Sequence, residues 1–258
     1  MAPINSGHDF CDPVFDIRGK VVLIAGAGGG LGQVIAESLS ARGAKLVLFD
    51  SDPEKTMEIA EKIPEAVTET ASITDSMAIE KAVQLAVNTF GELNGAINST
   101  GIFSMGESAL LDEAEFRKCI DINLTGAFLF SQATMKAMKK NGGRIIHLSS
   151  VSSLVSNTRY AAYASSKAAL THLVRVLGRE WAPFNILVNA IGPAMVETPM
   201  SAGNLKNSGY RKNVLSVIPT GRLGLAEDLI GTVILLLSNG GSFIAGQTIY
   251  IDGGRTLV

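Results

Sequence analysis

The sequence predicts an α/β fold: a doubly wound domain whose mainly parallel, seven-stranded sheet carries helices on both faces. Three observations predict it. Short β-branched runs alternate with longer stretches of helical periodicity, as successive βαβ units do. Several of the short runs are almost continuously apolar (Val21-Val22-Leu23-Ile24, Ile145-Ile146), as strands covered on both faces must be. No repeat, low-complexity tract or Pro/Ser-rich linker divides the 258 residues, a length that one hydrophobic core supports. Residues 17–258 are therefore expected to form one domain behind an N-terminal arm at 1–16.

In chain order the strands are expected at 20–25, 45–49, 66–71, 94–98, 144–149, 186–190 and 248–251. Helical windows lie between them at 31–42, 53–63, 75–90, 112–139, 160–181 and 226–237. Asp75 is placed to cap the third helix, and Pro53 occupies a first-turn position of the second. Gly43 and Gly91 follow helix ends, where a left-handed residue commonly closes the last turn. The segment 192–224 is irregular and carries Pro193, Pro199, Gly203, Gly209 and Pro219. A loop this long inside a compact domain reads as a lid or binding segment.

Composition excludes several classes. With 47% apolar and 18% charged residues the chain is not disordered, and 22 basic against 24 acidic side chains give no electrostatic pull toward nucleic acid or an anionic membrane. No run approaches the roughly 20 apolar residues of a spanning helix. Met1 to Phe15 lack the basic and apolar regions of a secretory signal. Cys11 and Cys119 are too few for a disulfide framework or a metal site, and two free thiols suit a reducing cytosol. The expectation is a soluble, cytoplasmic protein that binds no metal.

Directly after the first strand stands Ala25-Gly26-Ala27-Gly28-Gly29-Gly30-Leu31-Gly32, leading into an amphipathic helix. Glycines here permit a tight turn, close approach of backbone to a pyrophosphate and close packing of helix on sheet. The helix N-terminus then offers unpaired N–H groups to the phosphates. The second strand ends in Phe49-Asp50, where a carboxylate accepts hydrogen bonds from an adenosine ribose diol and repels a 2′-phosphate. No Lys or Arg lies within 27–29 or directly after Asp50, so NAD(H) is expected rather than NADP(H).

Tyr163 and Lys167 are four residues apart in a helical window and share one face. A free tyrosine, with pKa near 10, is mostly protonated at neutral pH. A positive charge about 4 Å away at an effective dielectric of about 20 is worth roughly 4 kcal/mol, enough to bring the phenol into the range of a working base. Desolvation of the phenolate pushes the other way. Ser150 follows the fifth strand at the carboxyl edge of the sheet, where its hydroxyl can donate to a developing alkoxide.

Together these segments resemble the short-chain dehydrogenase/reductase family, over 17–254. Gly26, Gly30 and Gly32 match its cofactor loop, and Ser150, Tyr163 and Lys167 its catalytic Ser-Tyr-Lys. Asn123, in Asp121-Ile122-Asn123-Leu124-Thr125-Gly126, matches the Asn that completes the tetrad. Gly221-Arg222-Leu223-Gly224 and Ile251-Asp252-Gly253-Gly254 match C-terminal signatures. The resemblance implies a Rossmann fold, a nicotinamide cofactor and a homotetramer packed through 112–139 and 160–181. It makes Tyr163 the acid/base and has Lys167 bind the nicotinamide ribose and lower the Tyr pKa. Ser150 would position the substrate oxygen, and Asn123 would help hold a water that relays protons to Lys167. Gly28, Leu31, Asn98, Gly101, Ile191, Pro193, Val196 and Thr198 would line the cofactor, with Ile191 reaching the carboxamide by backbone contacts. The chain departs from the family pattern at Asn98-Ser99-Thr100-Gly101, at Ala25 and at Ala194. Ser72 and Ile73 replace the usual Asp near the adenine.

The leading reading is interconversion of a secondary alcohol, polyol or hydroxy acid with its ketone. The alternatives are a 3-oxoacyl-thioester reductase and a cofactor-sensing protein without chemistry. Asp50 argues against the first, as does Phe184 at a position where carrier-protein reductases often place a basic docking residue; the intact tetrad argues against the second. Ser152, Asn157, Arg159, Met195, Met200, Tyr210 and Arg211 are the substrate-pocket candidates, with Arg159 or Arg211 able to pair with a carboxylate. His147, central to a strand, reads as core or pocket wall rather than as a catalyst.

Overall fold

β1 (Val21–Ala25) is buried along its whole length and divides its side chains between two cores. Val22 and Ile24 enter one, and Val21, Leu23 and Ala25 the other, the period-2 geometry of a strand with no solvent face. The structure, a computed structural model, describes residues 12–258; the first 11 positions of the expected arm, Cys11 among them, lie outside these. Among the described residues β1 is joined by β2 (Lys45–Asp50), β3 (Val67–Thr70), β4 (Gly95–Asn98), β5 (Gly143–Leu148), β6 (Ile186–Pro193) and β7 (Thr248–Ile251). Every pair is parallel, and the order is β3-β2-β1-β4-β5-β6-β7. This is the doubly wound α/β arrangement that the sequence predicts.

The connections are α1 (Gly30–Ser40), α2 (Pro53–Lys62), α3 (Ser76–Phe90), α4 (Glu113–Ile120), α5 (Gly126–Met138), α6 (Ala161–Trp181), α7 (Pro199–Leu205), α8 (Ser208–Ser216) and α9 (Ile230–Leu237). Ile35 and Leu39 of α1 meet Val233 and Leu236 of α9 on one face of the sheet. Ile79 and Ala82 of α3, Phe130 of α5 and Val174 and Leu177 of α6 fill the other. The local signals are in place. Asp52 and Asp75 accept backbone N–H groups at the starts of α2 and α3, and Gly91 closes α3 in the left-handed region at φ 89°.

Three segments differ from expectation. β6 runs on through Gly192 and Pro193, which pair with Tyr250 and Ile251 of β7; proline ends the strand, where its missing N–H is tolerated. The window 112–139 is not one regular helix, since α4 and α5 are joined by a π-helical turn at Asp121–Thr125 that carries Asn123. The stretch 192–224 is not irregular throughout. Thr198 and Ser201 form a reciprocal cap on α7 with Pro199 inside its first turn, and Asn207 caps α8. This lid has a small core of its own, Leu205, Ile218 and Leu223.

Strand order reverses between β1 and β4, so the helices that follow these strands leave on opposite faces of the sheet and open a crevice at its carboxyl edge. The lid spans that crevice, and the cavity beneath it has a volume of about 540 Å³.

Candidate active site

The glycines at the end of β1 are each required by a contact. Gly26 has φ 78°, which favours glycine. A Cβ on Gly32 would collide with the carbonyl oxygen of Gly26, and one on Gly30 would stand 2.7 Å from Cδ of Pro199 on the lid. At Gly28 a Cβ would meet Cβ of Lys55 at 2.7 Å. The backbone floor is therefore bare, and it borders a cleft of about 290 Å³ lined also by Leu31, Asp50, Ser72, Ile73 and Gly101. Asp50 is held by backbone: its Oδ2 accepts the Gly28 N–H at 2.9 Å and its Oδ1 the Asp52 N–H at 3.1 Å. Such a cradle, with α1 beginning at Gly30 and a carboxylate at the end of β2, fits the diphosphate and ribose of a dinucleotide.

Of the other residues expected at the cofactor, Thr198 borders this cleft, and Asn98, Ile191, Pro193 and Val196 lie outside its lining. Asn98 lies beneath the cleft, 3% exposed, and its Oδ1 accepts from the Thr100 N–H and hydroxyl at 3.0 and 2.6 Å, bracing the loop that carries Gly101. Ile191 is fully buried within β6, and its carbonyl is occupied by the Ser149 N–H. Pro193 and Val196 line the larger cavity, and Thr198 borders both. Lys55, from the first turn of α2, also lines the cleft, at a position that no cofactor motif marks. Its ammonium is paired with Asp52 at 2.9 Å.

At the other end Ser150 leaves β5 and caps a short helical turn, where its Oγ accepts the Ser152 N–H at 3.1 Å and hydrogen-bonds with the Tyr163 phenol. Tyr163 and Lys167 lie on one face of α6. Burial pushes the Tyr163 phenol up, opposed by the Ser150 hydrogen bond. The Lys167 ammonium donates to the Leu148 carbonyl at 2.8 Å, and its Nζ stands 5.8 Å from the centre of the Tyr163 ring. Burial also lowers the Lys167 pKa to about 8.

Asn123 is not hydrogen-bonded to Lys167. Its Oδ1 accepts the Ile102 N–H at 2.8 Å, while its Nδ2 donates to the Ile102 carbonyl and to Ser166 Oγ, each at 3.0 Å. The side chain thus ties the loop after β4 to α6. Asn123 Oδ1 and Lys167 Nζ nevertheless flank one point, each 3.3 Å from a Cβ built on Gly101. His147 is core. It is fully buried between Ser131 Oγ at 2.8 Å and Asn98 Nδ2 at 3.5 Å, and desolvation lowers its pKa to about 3.

Ser152, Asn157, Arg159, Met195, Met200 and Tyr210 all border the cavity, whereas Arg211 forms an ion pair with Glu197 at 3.0 Å and does not. Sequence reasoning missed Phe103, Tyr160 and Arg255. Phe103 packs edge-on against Tyr160 and Tyr163, with ring centres 4.9 and 5.1 Å away. The Tyr160 and Tyr210 hydroxyls meet at 2.8 Å, fastening α8 to the start of α6. Phe103 and Arg255 lie at the ends of loops after β4 and β7, and no local spacing marks them.

Comparison with known proteins agrees with this geometry. The family model described as enoyl-(acyl carrier protein) reductase matches residues 26–256. The chain is 36% identical to trans-4-hydroxycyclohexanecarboxylate dehydrogenase of Sinomonas cyclohexanicum, over 92% of this chain and 93% of that one. It is 33% identical to 3-oxoacyl-[acyl-carrier-protein] reductase FabG of Escherichia coli, over 94% of this chain and all of the relative. A crystal structure of a short-chain type dehydrogenase/reductase from Mycobacterium marinum superposes with a TM-score of 0.91 at 30% identity, covering 95% of this chain and 98% of that chain. Fold, glycine turn and the meeting of Ser150, Tyr163 and Lys167 at the sheet edge lead to one conclusion: the chain belongs to the short-chain dehydrogenase/reductase family of oxidoreductases.

Proposed function

We propose that residues 17–258 act as one catalytic unit, an NAD(H)-dependent enzyme that interconverts a secondary alcohol and its ketone. The observation that carries this reading is the convergence of Ser150, Tyr163 and Lys167 beside a glycine-floored cleft that ends at Asp50. Gly26, Gly28, Gly30 and Gly32 would admit the diphosphate, and Asp50 would accept from the ribose diol while repelling a 2′-phosphate. When bound, the nicotinamide supplies or takes up the hydride. In the oxidative direction Tyr163, as the phenolate, would take the proton of the substrate hydroxyl and become the neutral phenol. Ser150 donates to the oxygen as negative charge develops there, an interaction stronger in the transition state than in the ground state. Lys167 holds its ammonium beneath that site, and Asn123 keeps the adjoining loop and α6 in register. Supporting this reading, neither Tyr163 nor Lys167 forms an ion pair with a carboxylate among the described residues.

The second reading, a 3-oxoacyl-thioester reductase, draws on the Escherichia coli relative. Phe184 argues less strongly against it than the sequence implies, because the Lys139 ammonium lies 5.1 Å over its ring and brings a basic group to that surface. Asp50 still disfavours the phosphorylated cofactor. We further take the enzyme to be a cytoplasmic homotetramer that acts on a small molecule; no helix among the described residues is long and apolar enough to cross a membrane.

The test follows nicotinamide absorbance with NAD or NADP and a panel of secondary alcohols, polyols, hydroxy acids and hydroxyacyl thioesters, with Tyr163→Phe as control. Reduction of NAD that disappears in Tyr163→Phe, while NAD binding persists, is the expected outcome. Full activity in that variant would overturn the acid/base assignment. Turnover confined to thioesters with NADP would select the second reading.

A further inference from the structure

The core of the lid is small and open on one side. Leu205, Ile218 and Leu223 are its buried residues, and Met195, Tyr210 and Val214 pack against them while staying half-buried. These last three side chains all border the cavity. Phe103 and Tyr160 border it from the body of the domain; both are half-buried and stand edge-on, with ring centres 4.9 Å apart. Two apolar surfaces, one on the lid and one on the body, thus share a single space that the protein does not fill.

Several polar groups around that space are already committed to protein partners. The Tyr160 and Tyr210 hydroxyls are spent on one another at 2.8 Å, and Ser201 Oγ donates to the Val196 carbonyl at 2.7 Å. Asn157 donates to Ser152 Oγ at 3.4 Å and accepts from Arg255 at 3.4 Å, while Arg255 also donates to a Val258 oxygen at 3.1 Å. Thr158, Arg159 and Asn213 border the cavity but are exposed. No Asp or Glu stands among the described residues that line it, although a carboxylate is a strong acceptor for the hydroxyls of a polyol. A hydroxyl taken from water and left without a partner costs free energy, whereas an apolar group that covers Met195, Val214 and Phe103 gains it.

We infer that the substrate is a secondary alcohol or ketone whose carbon body beside the reacting carbon is apolar, and that this body completes the lid core from the cavity side. Polyols and sugar acids lie outside its range. The inference rests on the alcohol-oxidoreductase reading for the reacting end, where Ser150 and Tyr163 meet the oxygen, and it assigns the rest of the molecule.

The experiment is calorimetric titration of the NADH-loaded protein, in which an alcohol finds no hydride acceptor and only binds, with cyclohexanol and with myo-inositol, the same ring carrying a hydroxyl on every carbon. Cyclohexanol is expected to bind at least about tenfold tighter, the effect of burying roughly two methylene groups. Met195→Gln, which keeps the length of the side chain and makes its end polar, should cut that preference at least threefold. Val214→Thr, which keeps the shape, should do the same and serves if Met195→Gln fails to fold. Equal binding of the two rings, tighter binding of myo-inositol, or a preference that neither variant reduces would overturn the assignment. If NADH itself does not bind, the cofactor reading fails and the same comparison on the protein without cofactor decides this one. A ring preference that depends on Met195 or Val214, with no reduction of NAD by any alcohol of the panel, would uphold the apolar site and count against the oxidoreductase reading instead.

Discussion

Asp50 is fixed by two backbone N–H groups, one on each oxygen, and each oxygen keeps a lone pair for a ribose hydroxyl. Asp50→Ala removes both the acceptor and the repulsion of a 2′-phosphate. The ratio of kcat/KM for NAD to that for NADP is expected to fall about tenfold or more, in line with the loss of a charge-assisted hydrogen bond. An unchanged ratio would show that this carboxylate does not face the ribose. Gly32→Ala forces a methyl group into the Gly26 carbonyl and is expected to abolish cofactor binding, as measured by fluorescence titration with NADH. The glycines and Ser150 are legible in sequence because they follow strand ends, and Tyr163 and Lys167 because a spacing of four puts them on one face of a helix. Lys55, in the first turn of α2, and Arg255, on the short turn after β7, are not, because no motif marks either position.

At the scale of elements, β5 supplies Ser150 from its end and His147 from its interior. His147 is neutral in the fold, with its pKa lowered from 6.5 to about 3 by desolvation and by the nearby Lys167 charge. The unfolded chain takes up a proton as pH falls below 6.5, while the folded chain does not, so the stability contributed by neutral His147 is complete above 6.5 and is lost progressively toward 3. By pH 5 the loss amounts to about 2 kcal/mol. His147→Gln is expected to be less stable at pH 7 but to show a flatter decline between pH 6.5 and 5 in urea denaturation; equal slopes would exclude the buried imidazole as the source. Lys167 acts at the opposite end of the scale. Its pKa is about 8 in the fold against 10.5 when free, so the cost of burying its charge is full below 8 and is relieved as pH rises toward 10.5. Strands and helices were largely readable from apolar period and caps. The turn bearing Asn123 was not, since one extra residue leaves the apolar spacing of 112–139 almost unchanged, and α7 and α8 were obscured by the prolines and glycines of the lid although Thr198-Pro199 and Asn207 are ordinary cap signals.

For the whole molecule the unresolved cost lies at the sheet edge and on the helices that cover it. Among the described residues β7 pairs only with β6, and it is flanked in sequence by Phe243 and Leu257, the first fully exposed and the second 84% exposed. Phe116 of α4, Phe128 of α5 and Val176 of α6 also face outward. An open strand edge is usually covered, and apolar side chains grouped on a surface mark contact sites. The family resemblance implies a homotetramer, and these surfaces are where copies of the chain would bury them. Sedimentation equilibrium is expected to give a mass close to four times the 27.1 kDa chain. Phe243→Asp, which places a charge beside β7, should shift that mass toward dimers, whereas Phe128→Asp should act through the helical face and leave any association along β7 in place. A single-chain mass at micromolar concentration would instead mean that this molecule tolerates its exposed β7 edge unaided, and that the oligomer implied by its family is not a property of this chain.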